Sequence, residues 1–458
     1  MVLATVLPGL VLLGIVIFVH ELGHFLAAKW RGVIVVKFSL GMGPEMLGFS
    51  AGGTRYCLYW IPLGGFVQMA GDHPSDDGTM PAGGQEEFLT HHWLGRIAIA
   101  LAGPAANLVT AYVVMVVMCM HGVTQPDFPN VLGKLEASTA AYRAGLRPGD
   151  RITALNGRAV HTWHDIESAA EARKADAPLV FSLLRSGTPE QVNAPAGEAR
   201  AVLGDLEPES FPAVVGNVST GMPAYRGGVK EGDHILAVDG HAVERFEDIG
   251  QQLRGKVDQP VKLTMLRAGR RFETTVSPIS ADGTRESKRG VIGIEAPRGM
   301  TWVQHFTVPQ AISAGYHGTV GLLVTVYEGM WLTVSRPVYY RDYVGGPIFI
   351  GQMARDSARK GLDNYLYLLA MINLAVMAFN LLPVPLLDGG HMLLALLEAV
   401  RRRTLSAKAY LNFQKVGLAL VGTLFVFILS KDIVRPFQRM RALDRAPRET
   451  TTVVPAPH

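Results

Sequence analysis

The sequence predicts a polytopic α-helical membrane protein of about four transmembrane helices, with a membrane-associated β-structure and two tandem α+β domains. Three observations predict it. Long uncharged runs alternate with basic clusters in a chain of 458 residues of which 18% are charged, and the mean hydropathy of +0.21 is too apolar for most soluble proteins and too polar for a chain wholly in lipid. Residues 33–72 are rich in β-formers and broken by glycine and proline. Residues 125–296 are polar and contain an internal repeat.

The first span covers residues 1–28. Residues 1–19 carry no charged side chain, and the run ends in His20-Glu21-Leu22-Gly23-His24. It lacks a basic n-region and bears three ionisable groups, so it reads as a retained span, not a signal peptide. On a helix His20 and His24 lie one turn apart on one face and can share one Zn²⁺. Glu21 stands beside them, where a general base for an attacking water belongs. A chance match is disfavoured, because ionisable groups in a span are costly and need a partner or a metal. Lys29 and Arg31 follow at once, which puts this end on the cytoplasmic side.

Residues 29–93 form the cytoplasmic-side β-structure and a loop. Strands are expected at Val33-Ile34-Val35-Val36, Thr54-Arg55-Tyr56-Cys57-Leu58-Tyr59-Trp60 and Phe66-Val67-Gln68-Met69, ended by Gly41, Gly43, Pro44, Gly52-Gly53, Pro62 and Gly64-Gly65. Such a structure at the membrane can offer a strand edge to an extended peptide. Residues 73–90, rich in Gly, Asp and Pro, read as a flexible loop. The second span covers residues 94–121. It contains Gly103-Pro104-Ala105-Ala106-Asn107, where small residues allow close helix packing and Asn107 is expected to hydrogen-bond across the interface in a structural role.

Within the polar block, Tyr142-Arg143-Ala144-Gly145-Leu146-Arg147-Pro148-Gly149-Asp150 returns 83 residues later as Tyr225-Arg226-Gly227-Gly228-Val229-Lys230-Glu231-Gly232-Asp233. Asn156-Gly157 and Asp239-Gly240 mark matching hairpin turns. Two copies of this size make two domains, residues 125–204 and 205–296, with 204–212 as the linker. The pattern resembles the circularly permuted PDZ domains of bacterial envelope proteases, which implies binding of peptide ends beside a helix. Neither copy carries a metal or nucleophile constellation, so docking or size filtering is expected of them.

Residues 300–360 read as an amphipathic or interfacial segment, since Gly315, Gly318, Gly321 and Gly329 weaken residues 308–331 as a straight span, with a fifth span as the alternative. The third span, 361–398, is broken near Asn380-Leu381-Leu382-Pro383-Val384-Pro385-Leu386-Leu387-Asp388-Gly389. Broken backbone at membrane depth is tolerated where it lines a cavity, and a carboxylate there needs a metal or a partner. Asp388 is thus the natural third zinc ligand, completing two His and a carboxylate with an open fourth position. His391 is a possible ligand too, but its spacing from Asp388 serves a helix start equally well, and it is left out. Arg401-Arg402-Arg403 marks the cytoplasmic side. The fourth span covers 409–431 and the tail 432–458. Four spans put the tail, despite its arginines, on the side of the N-terminus and the repeats.

The joint presence of His20-Glu21-Leu22-Gly23-His24, the stretch from Asn380 to Asp388-Gly389 and the two repeats resembles the site-2 protease family. The resemblance implies an intramembrane zinc endopeptidase with one Zn²⁺, His20, His24 and Asp388 as ligands and Glu21 catalytic. It implies a single-span membrane-protein substrate such as a pre-trimmed anti-sigma factor, and a place in the bacterial inner membrane with the PDZ-like domains periplasmic and open to peptide C-termini or periplasmic partners. Candidate substrate contacts are Gly65, Phe66, Asn380, Pro383, Pro385 and Asn373. The family often has an Asn where Ala375 stands here. The lipid bilayer is a partner; nucleic acid is not expected, because no basic patch is interleaved with aromatics. Cys57 and Cys119 give no disulfide framework. A metal transporter would want ionisable groups along a route that spans two and four do not offer, and a non-catalytic PDZ scaffold has no use for Glu21.

Overall fold

The computed structural model describes residues 2–73, 84, 86–174, 177–219, 221–280, 289–297, 299–335 and 345–444. Most of the loop expected at 73–90 lies outside the described residues. The chain divides into two units, residues 1–122 with 305–436, and residues 123–304 with 437–458.

The first unit opens with α1 (Val2–Trp30). It is followed by the strands β1 (Val35–Ala51) and β2 (Thr54–Met69) and by α2 (Trp93–His121). The three short strands read from the sequence are merged into two long bent ones. Gly41, Gly43 and Gly64 take positive φ of 84°, 95° and 81°, so these glycines bend the strands where the sequence suggested they would end. Residues 35–40 lie between the two limbs of β2, with Ser39 facing both Phe66 and Cys57. Away from α1 the hairpin exposes Met42, Leu47, Phe49, Trp60 and Ile61.

The buried face of α2 includes Ile99, Gly103, Asn107, Ala111 and Met115, a spacing of four that sets one helical face against its neighbours. Gly103 makes close approach possible: a Cβ there would strike the ring of His24.

In the second unit β3 (Val123–Pro126) pairs antiparallel with β16 (Thr301–Gln304), at the two ends of the 123–304 segment. The first repeat comprises α3 (Ala140–Arg143), β4 (Arg151–Leu155), β5 (Arg158–Ala159), α4 (Trp163–Glu171), β6 (Leu179–Arg185), β7 (Thr188–Ala194) and α5 (Ala199–Gly204). The second comprises β8 (Asn217–Val218), α6 (Pro223–Arg226), β9 (His234–Val238), β10 (His241–Ala242), α7 (Phe246–Gln252), β11 (Val261–Arg267) and β12 (Arg270–Val276), with the short β13 (Ile279–Ser280), β14 (Gly290–Val291) and β15 (Ile294–Glu295). The two sheets have the same order, β5-β4-β6-β7 and β10-β9-β11-β12. Each has its own core, around Phe181 and Ile152 in one and Leu263 and Ile235 in the other. Asn156 and Asp239, both at φ near 50°, make the turns that their Asn-Gly and Asp-Gly pairs announce.

The same ion pair locks both repeats. Arg185 reaches Asp150 through two bonds of 2.8 Å and also donates to the Gly145 carbonyl. Arg267 reaches Asp233 through two of 2.6 Å and donates to the Gly228 carbonyl.

Back in the first unit follow α8 (Val308–Ser335), α9 (Pro347–Lys360), α10 (Leu362–Asn380), α11 (Asp388–Arg401) and α12 (Ala407–Asp444). Among the described residues four helices are long and apolar enough to cross a membrane: Leu7–Trp30, Trp93–His121, Leu362–Asn380 and Ala407–Val434. With the sheets they give the expected membrane protein with β-structure. The apolar run expected through Leu387 stops being helical at Asn380, because Pro383 and Pro385 cannot continue it. Leu386 turns with φ 73°, and α11 restarts at Asp388. α8 lays Gly315 and Gly318 against Val116 and Met115 of α2. A buried ion pair, Arg96 with Glu398, joins α2 to α11. Glu398 also accepts the Leu405 N–H at 2.8 Å. This clamp fixes α11, and with it Asp388, against α2.

Candidate metal centre

α1 carries His20 and His24 on one face, 8% and 7% exposed. Their rings meet edge to face at 4.8 Å between centroids, with the two Nε2 atoms 3.3 Å apart. The broken backbone before α11 delivers Asp388 to them. Its Oδ2 lies 3.2 Å from His20 Nε2 and its Oδ1 3.3 Å from His24 Nε2. The donor atoms of all three residues lie within 4.8 Å of one another.

These groups fit a metal ion. Asp388 Oδ2 is buried and makes no hydrogen bond, although a ring nitrogen is 3.2 Å away. His24 Nδ1 donates to the Ile99 carbonyl of α2 at 2.9 Å. A neutral imidazole so held turns its Nε2 lone pair to the cluster. The Nε2 atoms of His20 and His24 and the Asp388 carboxylate converge on one point, where a cation can be held. His391 stays outside the group: its Nδ1 lies 3.2 Å from the Tyr410 hydroxyl.

Glu21 lines the same cavity, of about 370 Å³, together with Ile17, Gly64, Gly65, Phe66, Val67, Asn380, Leu386 and His391. Asn380 Nδ2 is 3.4 Å from His20 Nε2. Of the candidate substrate contacts, Gly65, Phe66 and Asn380 thus line the cavity, while Pro383, Pro385 and Asn373 are not among its lining residues. Asn373 is fully buried and donates to the Leu369 carbonyl of its own helix at 2.8 Å. The histidines have two further partners that the sequence motifs do not announce, both on α2. One is the Ile99 carbonyl. The other is Asn107, whose Nδ2 lies 3.2 Å from His20 Nδ1. Their spacing from Gly103, four residues either way, was the available signal.

The family model of peptidase family M50 matches residues 8–424. A Neisseria meningitidis protein named "Putative zinc metalloprotease" is 30% identical over 92% of this chain and 97% of its own length. Proteins of the same name from Treponema pallidum, 29% identical over 93% of this chain and 98% of their own length, and Vibrio cholerae, 30% identical over 93% and 97%, are similarly related. A matched region that runs from α1 into α12, and so takes in the cluster of His20, His24 and Asp388, means that the chain belongs to peptidase family M50, the site-2 family of zinc metalloproteases.

Proposed function

We propose that this zinc metalloprotease is an intramembrane endopeptidase that cuts the transmembrane segment of single-span membrane proteins, with His20, His24 and Asp388 as the zinc ligands and Glu21 as the general base. The observation that carries the reading is the convergence of the three donor groups beside Glu21, with His20 and His24 on one candidate span and Asp388 eight residues after the end of another. When bound, zinc supplies Lewis-acid polarisation of the scissile carbonyl and favours ionisation of water. Glu21 takes a proton from the attacking water, whose oxygen joins the carbonyl carbon. As the C–N bond breaks, Glu21 passes that proton to the departing amine. Asn380, at the rim, can donate its amide N–H to the oxygen on which charge develops.

A helical substrate shields its peptide bonds in its own i→i−4 ladder, so it must open before cleavage. Residues 65–69 of β2 support this step. They pair with 35–40 on one side, and no second strand among the described residues covers the other. An extended segment added there, beside Gly65 and Phe66, gains backbone hydrogen bonds for those lost from its helix. Of the break that Pro383 and Pro385 make, Leu386 lines the cavity, as does Asp388 just after it, and irregular backbone at membrane depth is tolerated in such a place.

The repeats of the second unit we read as PDZ-like modules that bind peptide ends or periplasmic partners. The basic residues after α1 and at 401–403 support an inner-membrane placement with the repeats periplasmic. A pre-trimmed anti-sigma factor is the substrate that the resemblance to the site-2 protease family implies. The test is reconstitution of the full chain with a single-span protein in liposomes. Products ending within the apolar segment, abolished by a zinc chelator and by Glu21→Gln, are expected. Cleavage confined to residues outside that segment, or unchanged in Glu21→Gln, overturns the reading.

A further inference from the structure

We propose that Asn107 is a positioning residue for the metal centre, its amide oxygen accepting the Nδ1 proton of His20. The inference rests on the reading of His20 as a ligand through Nε2. Asn107 is fully buried in the middle of α2. Its side chain reaches the back of the His20 ring, 3.2 Å from Nδ1. Its Oδ1 is buried with no hydrogen-bond partner.

A neutral imidazole has one N–H and one lone pair, so what Nδ1 does decides what Nε2 can do. If the Asn107 NH₂ donates to Nδ1, the ring proton sits on Nε2, and that nitrogen cannot bind a cation. Nε2, however, faces Asp388 and His24 Nε2 at 3.2 and 3.3 Å. The two ends of an amide have nearly the same shape, and a half-turn about Cβ–Cγ exchanges them. The turned amide brings the orphan oxygen to Nδ1, fixes the proton there and leaves the Nε2 lone pair facing the cluster.

The placement is matched at the other histidine. The Ile99 carbonyl does for His24 Nδ1 what the Asn107 oxygen does for His20 Nδ1. Ile99, Gly103 and Asn107 follow one another at intervals of four on one face of α2. The absent side chain of Gly103 lets that face come down on the His24 ring. One helix therefore supplies the outer partner of both imidazoles. An outer acceptor of this kind orients the ring and raises its basicity, and its loss typically weakens metal affinity by about 10–100-fold.

The test is zinc affinity of the purified full-length chain, by competition with a chelating fluorophore, for Asn107→Leu, Asn107→Ala and Asn107→Asp. The first two remove the acceptor and the third keeps one. The expected result is an affinity about 10–100-fold lower in the Leu and Ala forms and close to the unsubstituted chain in the Asp form. A ¹H–¹⁵N spectrum of histidine-labelled, zinc-loaded protein should show the His20 proton on Nδ1 in the unsubstituted and Asp forms. Ala provides a smaller acceptor-free side chain should the Leu form fail to insert. Zinc bound as tightly by the Leu or Ala form as by the unsubstituted chain overturns the assignment, as does an Asp form as weak as the other two. If the unsubstituted chain binds no zinc, the metal reading itself fails, a result distinct from either.

Discussion

Asp388 in the first unit and Asp233 in the second are both shielded carboxylates, held in opposite ways. Asp233 has no exposed surface and meets the Arg267 guanidinium in two bonds of 2.6 Å, with the Lys230 backbone N–H completing its shell at 2.8 Å. Asp150 repeats the arrangement with Arg185 and the Arg147 N–H. Asp388, at 17% exposure, has only two imidazoles at 3.2 and 3.3 Å and an oxygen with no hydrogen bond. A buried carboxylate with its full set of donors is a finished lock; one set beside two imidazoles with an oxygen unbonded can hold a cation. Burial of charge therefore does not mark a site. The nature of the partners does.

The sharpest way to break the comparison is at the chemistry. Glu21→Gln leaves both imidazoles and Asp388 in place, so zinc content should be unchanged while proteolysis falls by about 10²–10⁴-fold, the usual worth of a positioned general base. Parallel metal analysis and cleavage assays check this. Next, Asp388→Asn should lower zinc content, because one of the three donor groups is weakened, and leave hydrogen-exchange protection in the second repeat unchanged. Arg267→Ala should do the reverse. It strands a buried charge and should cost the second repeat about 3 kcal/mol, read as lost hydrogen-exchange protection in β9 and β11, with zinc binding untouched. If both variants behave alike, the distinction between lock and site is wrong.

The smallest effect is expected at Asp239, which is partly exposed. Its carboxyl is held below the usual range, chiefly by the Lys256 ammonium at 2.6 Å and then by the Lys262 N–H at 2.7 Å. A lowered folded value means that its contribution is present above the ordinary aspartate range and is lost as pH falls through that folded value. Lys256→Ala should cost at most about 1 kcal/mol at neutral pH and make the acid unfolding of this repeat less steep. Denaturant titrations at several pH values measure both.

The convergence of His20, His24 and Asp388 is legible in the sequence because its signals are local. His20 and His24 are four apart at the end of an uncharged run, and Asp388 follows two prolines that must break a span. The repeat was legible through its 83-residue spacing. The locks within it were not, because pairing Asp150 with Arg185 depends on the register of β4 against β6. The β-structure was recognised but cut too short, since glycines that end a strand and glycines that bend one look the same in sequence. In the sequence Asn107 has the marks of a helix-interface residue only. Its reach to His20 depends on how closely Gly103 lets α2 approach α1, and that is a property of packing.

The central claim is that His20, His24 and Asp388 together hold the zinc. X-ray absorption at the zinc edge of the purified full-length protein tests it most directly, with His24→Ala measured beside it. The account predicts scattering from two imidazoles and oxygen, without sulfur, and loss of zinc or of one imidazole's scattering in the variant. Sulfur in the shell, or a spectrum and zinc content unchanged by His24→Ala, would contradict it.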